Sequence, residues 1–229
     1  MRVLKAAAAA AILPALLLAG CSQAEPEAPA KPKAQTEAPA PETKPASTGN
    51  RPEWAINPVD LGEKVGETQG ASWSVQVFRV ENATTSTDGL WAMPDTNEPV
   101  MPTGTEMTVY NVVFTNTSSS DILIEEGASV SLIHQGVEDY KATLSSHDPE
   151  MFEPFGLTDR IYDIAKLDEI TKYGDERGFV VKPGESFAVA SNTWAVPGEV
   201  KVEAYVNVMD ENGKRLVDAS EIIEQTIKQ

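Results

Sequence analysis

Residues 72–80 read SWSVQVFRV, with Trp73, Val75 and Val77 alternating against Ser74, Gln76 and Phe78. A repeat of two puts successive side chains on opposite faces of a pleated strand, and a helix cannot present it. Residues 107–116, MTVYNVVFTN, carry the same signal in β-branched and aromatic residues. Tyr110, Val112 and Phe114 share an apolar face expected to point inward, whereas Asn111 interrupts the opposite face. Further strands are expected at 122–124, 129–133, 178–181, 186–194, 200–208 and 215–217. Between them lie turn signals: Asp88-Gly89, Gln135-Gly136, Pro183-Gly184, Pro197-Gly198 and Asn212-Gly213. Pro followed by Gly suits the central positions of a type II turn, because proline presets φ and glycine accepts a positive one.

Short strands punctuated in this way predict an all-β antiparallel sandwich. Two places break the pattern. Leu157, Ile161, Ile164 and Ala165 recur at helical spacing, so a short inserted helix is expected within 157–173. Asp148 followed by Pro149 reads as a cap with proline at the first position of a single helical turn. The succession SWSVQVFRVENA, TEMTVYNVVFTNTSSSDI, SLIHQGVEDYKA and VVKPGESFAVASNTWAVP resembles the immunoglobulin-like domain of unknown function that follows lipoboxes in many bacterial lipoproteins. The same fold occurs in a secreted immunoprotective antigen. The matching marks are Asn116 and Thr117, then Leu132, Gly136 and Tyr140, then Pro183, Gly184, Val196 and Pro197. This resemblance implies an immunoglobulin-like β-sandwich over most of 61–207, with 151–177 departing from the compact pattern, and it brings no catalytic residues.

Ahead of the domain, Arg2 and Lys5 precede an apolar run at 6–20. That is the layout of a signal peptide, and it is shorter than the roughly 20 residues a spanning helix needs. Leu18-Ala19-Gly20-Cys21 resembles the bacterial lipobox, which implies cleavage before Cys21 and a diacylglyceryl group on its thiol. Cys21 is the single cysteine, so no disulfide is expected. Several acyl chains anchor a protein stably where one holds it only marginally. Residues 22–52 are rich in Ala, Pro, Glu and Lys, a composition that cannot bury enough apolar surface to fold. Pro-rich chain extends at about 3.1 Å per residue, so this segment is expected to act as a disordered stalk. The expected organisation is a leader at 1–20, a lipidated Cys21 with its linker at 21–52, and the sandwich at 53–229. Its expected place is the extracytoplasmic face of a bacterial membrane.

The chain carries a net charge of −17. From residue 51 onward, 13 basic residues face 31 acidic ones, a balance of −18. Such a surface repels nucleic acid, and no nucleic-acid partner is expected. No G-x-S-x-G, H-E-x-x-H, phosphate-cradling G-x-x-x-x-G-K or S-x-x-K motif occurs, so no catalytic residue and no cofactor are assigned. His134 is expected as a polar residue beside the Gln135-Gly136 turn, and His147 as an exposed residue before the Asp148 cap. Aligning Gly213 with the glycine of a calcium loop puts Val208 and Ala219 where oxygen donors are required, so 208–219 reads as a hairpin turn. His147 and Met151, with Met93, Met101 or His134, make a softer donor set for Cu(I), but the dense Met and His motif of copper carriers is missing.

The most unusual stretch is 88–104, DGLWAMPDTNEPVMPTG, a long loop that sets Leu90, Trp91, Met93, Val100 and Met101 among three prolines. Either it folds back to cover one end of the sandwich, or Trp91, Met93 and Met101 anchor a partner. The resulting expectation is a lipid-anchored lipoprotein without enzymatic activity, whose acidic sandwich binds or scaffolds in the cell envelope. Its expected partners are the membrane, through Cys21, and an envelope protein. An extracytoplasmic copper carrier is the second reading and an envelope enzyme the third.

Overall fold

The computed structural model describes residues 50–165, 170, 172–173, 176–217 and 221–229; the expected leader, Cys21 and the expected linker up to residue 49 lie outside them. Among the described residues nine strands form: β1 Glu63–Gln69, β2 Trp73–Thr84, β3 Glu106–Asn116, β4 Ile122–His134, β5 Lys172–Tyr173, β6 Glu176–Val181, β7 Ser186–Trp194, β8 Glu199–Val208 and β9 Glu221–Lys228. They pair antiparallel into a sheet of order β1-β2-β3-β7 and a second of order β5-β6-β4-β8-β9. The architecture is an all-β sandwich, as the alternation predicts.

Alternation also decides what fills it. Trp73, Val75 and Val77 of β2, Tyr110, Val112 and Phe114 of β3, and Phe187 and Val189 of β7 meet Ile124, Leu132, Phe179, Val202 and Ile223 from the other sheet. Phe114 and Phe187 stack at 5.1 Å, and Trp73 meets Phe187 edge-on at 5.9 Å. Full burial of such side chains contributes about 1.5–3 kcal/mol each. The Tyr110 hydroxyl donates to Gln229 Oε1 at 3.2 Å, and burial pushes its pKa up to about 12.

The other face of β3 is covered too. Met107 and Val109 of β3 and Ala190 of β7 pack under Met101, Met151, Phe152 and Leu157, forming a second apolar cluster outside the sandwich. This explains why β3 is buried along almost its whole length. Asn111, the polar interruption on that face, is fully buried and donates Nδ2 to Pro58 O at 2.9 Å.

Among the described residues the insertion has 3-10 turns at Pro149–Met151 and Glu153–Phe155, and Ile164 and Ala165 also adopt 3-10 conformation. Asp148 caps the first by accepting from Glu150 N, as its sequence predicts. The helix expected from 157 does not begin there. Leu157 and Ile161 are buried singly in non-helical chain, and Tyr162 makes a bridge with Ala55. Residues 166–169 and 171 of that stretch lie outside the described residues. The strands expected at 122–124 and 129–133 are one strand with a bulge, accommodated by Gly127 at φ 104°. The expected strand at 215–217 reduces to one bridge, Met209 with Arg215, and β9 follows it.

His134 also differs from its expectation. The polar turn residue expected there is fully buried, with Nδ1 accepting from Gly136 N at 2.7 Å and Nε2 donating to Val196 O at 2.8 Å. These partners assign the Nε2–H tautomer. Pro183-Gly184 forms the expected turn, with Gly184 at φ 76° and Glu185 N donating to Lys182 O. Gly198 serves otherwise: a Cβ there would sit 2.6 Å from His134 Cε1.

Candidate functional site

The loop at 88–104 is a stitched hairpin. At its base Thr85, 3% exposed, exchanges hydrogen bonds with Pro102, Gly104 and Thr105. Asp88 Oδ1 accepts from Thr103 N at 2.7 Å and from Thr103 Oγ1 at 2.8 Å. These two donors hold the Asp88 carboxyl below the usual aspartate range. Above them Gly89 N donates to Met101 O, Val100 N to Trp91 O and Met93 N to Glu98 O, with a bridge between Ala92 and Pro99. Asn97 N returns to Met93 O, and Asn97 adopts φ 58°, a left-handed conformation that asparagine tolerates at a tight turn.

This framework divides the three residues that the sequence groups as contacts. Met101 is 3% exposed and belongs to the second apolar cluster, so it fastens the hairpin to the domain and offers nothing to a partner. A Cβ on Gly89 would lie 2.9 Å from Met101 Cβ, so the glycine allows that anchorage. Met93 is half-buried. Trp91 is 63% exposed and Leu90 78%, on a hairpin whose backbone is already paired. The covering reading therefore holds for Met101, whereas Leu90 and Trp91 are left exposed to solvent.

The soft-metal candidates separate as well. His134 is enclosed by its turn, Met151 and Met101 are core, and His147 is exposed on the rim of a cleft of about 200 Å³ between β4 and β7. Among the described residues no three His, Cys, Asp or Glu side chains converge where they could hold a metal ion, and no helix is long and apolar enough to cross a membrane. Compared with models of known protein families, with curated proteins and with solved structures, the chain matches none.

Positioning residues that the sequence does not single out are polar and buried. Asn57, 1% exposed, donates Nδ2 to Thr158 O, Arg160 O and Ala188 O and accepts from Thr158 N. Asp148 accepts from Ser86 N at 2.5 Å, tying the chain leading into the hairpin to the insertion. Asn192 exchanges hydrogen bonds with the backbone of Ser146. Each partner is far away in sequence, so local spacing carries no signal for these residues beyond their type.

Proposed function

We propose that this chain is a bacterial lipoprotein, anchored outside the cytoplasm through lipidated Cys21, whose acidic immunoglobulin-like sandwich binds an envelope protein through the Leu90-Trp91 hairpin. The observation that carries the reading is the exposed Leu90-Trp91 pair on a hairpin whose base is held by Thr85, Asp88 and Met101. A rigid aromatic anchor loses little entropy on docking, which is why tryptophan dominates many interfaces. The surroundings favour a partner with basic groups around an apolar pocket. Asp95 and Glu98 stand exposed on the same hairpin, and between Arg79 and Lys141 the sequence has ten Asp or Glu and no Lys or Arg. Charge complementarity of this kind speeds encounter and excludes wrong partners.

Two measurements test it. Replacing Cys21 with Ala should abolish labelling by a fatty-acid probe in cells, and equal labelling of the variant would overturn the anchor. A photo-crosslinking residue at 91 should give a discrete adduct on intact cells that the same residue at exposed position 224, on β9, does not. No adduct at 91, or equal adducts at both positions, would overturn the hairpin as the contact.

A further inference from the structure

The cleft beside His147 is bordered by a strand edge whose backbone is not used up. Gln135 N donates to Glu199 O, which fixes the parity of the β4 and β8 ladder: Ser129, Ser131 and Ile133 turn their backbone groups toward β8. Ala128, Val130 and Leu132 therefore turn theirs the other way. β6 covers that side of β4 only from Ile122 to Glu125, and at the far end His134 N is taken by Ala142 O. Among the described residues nothing pairs with the backbone of the three residues between.

Across the cleft, the edge of β7 is mostly capped. Asn50 O accepts from Ser186 N, Asn57 Nδ2 donates to Ala188 O, and Thr158 O accepts from Ala190 N. The cleft lies where those caps end, between Ala128–Val130 and Val189–Asn192, with Asp159 and His147 on its rim. At about 200 Å³ it has room for several waters. The carboxylate of Asp159 is exposed and, among the described residues, accepts a hydrogen bond only from the Thr158 hydroxyl, in a domain with a strong acidic excess.

We propose that this cleft binds an extended peptide carrying a basic residue, which adds as a strand to the free edge of β4 and sets its Lys or Arg against Asp159. Donor and acceptor pairs on alternate residues recur at about 6.8 Å along a strand, twice the rise per residue, and an extended peptide backbone repeats at the same interval. Main-chain pairing then supplies affinity and the Asp159 contact supplies selectivity. The site is separate from the Leu90-Trp91 hairpin, and either can fail without the other.

The test uses the ¹⁵N-labelled full-length chain in mild detergent and a mixture of lysine-centred pentapeptides with every residue except proline at the flanking positions. Binding should shift the amide signals of Ala128, Val130, Leu132 and Asn192. Backbone N-methylation of the peptides should abolish those shifts. Asp159→Asn, an exposed and conservative change, should weaken binding at least fivefold, while Val130→Pro should remove it by taking away an N–H that the β8 ladder does not use. The proposal is overturned if the saturating mixture leaves these amides unmoved, if N-methylated peptides bind equally, or if Asp159→Asn binds as wild type. It is also overturned if the same amides shift with protein concentration alone, because a second copy of the chain would then occupy the edge.

Discussion

Asn57 joins three parts of the chain that are remote in sequence, and its removal has a calculable cost. Its two Nδ2 hydrogens serve Thr158 O and Arg160 O at 2.9 Å and Ala188 O at 2.8 Å, one hydrogen being shared, while Oδ1 accepts from Thr158 N at 2.8 Å. In Asn57→Ala the three bonds donated by two hydrogens go, at about 1 kcal/mol net per hydrogen, and the part-buried Thr158 N–H loses its acceptor, which adds about 1–3 kcal/mol. The expected loss is about 3–5 kcal/mol. For a domain of this size each kcal/mol lowers Tm by about 2–4 °C, so thermal melts followed by circular dichroism should fall by at least about 6 °C. Asn57→Asp keeps the shape and the acceptor but turns lone pairs toward three carbonyl oxygens, so its folded carboxyl titrates above the unfolded value of about 3.9. The unfolded chain then ionises more readily than the folded one, and the deficit against wild type grows as pH rises. It should be larger at pH 7.5 than at pH 5, both above the isoelectric point near 4.4. A fall of under about 3 °C for Asn57→Ala, or a pH-independent deficit for Asn57→Asp, would refute the assignment of Asn57 as a clamp.

Three further outcomes follow from the site. Met101→Ala should cost about 2–5 kcal/mol in denaturant melts because it opens a cavity in a closed cluster, whereas Leu90→Ala, at a position 78% exposed, should stay within about 0.5 kcal/mol. Gly198→Ala forces a methyl to 2.6 Å from His134 Cε1 and 3.2 Å from Gly136 N, so it should lower the urea midpoint by the equivalent of about 1–3 kcal/mol with an unchanged slope. The Asp88 carboxyl, held by Thr103 below its unfolded value of 3.8, contributes stability that is present above that value and is lost as pH falls through the depressed one. The Thr103 amide signal should accordingly titrate on the acid side of 3.8 in wild type and stay flat in Asp88→Asn.

What the sequence could reveal was whatever depends on neighbours along the chain. The strands of 72–80, 107–116, 186–194 and 200–208 are legible because each packs a continuous apolar face, and β7 has the bounds its pattern predicts. β1, EKVGETQ, and β9, EIIEQTIK, are not legible. They lie at sheet edges, where charge takes the place of alternation because it discourages pairing with other chains. The helical spacing is not realised at Leu157 and Ile161, because Leu157 is drawn into the outer cluster and Ile161 into the inner core, and 3-10 conformation appears at Ile164 and Ala165. The hairpin was visible as apolar residues among prolines, but which of them face outward depends on the contact of Gly89 with Met101, between residues twelve apart. His134 was misjudged for a related reason. Its enclosure requires Gly198, which reaches it from another turn.

The clasp around residues 50–58 also determines how the domain bears a pull on its N-terminal side. Asn50 and Asn57 are bonded to β7 of one sheet, while Trp54 donates Nε1 to Val180 O of β6 in the other and packs on both Phe179 and Phe187. Tension entering at Asn50 is therefore divided between the two sheets, and the attachments must yield together because they flank one short segment. A segment fastened in this way is released only when bonds to both sheets break, where a terminal strand hung from one edge would need to leave one sheet alone.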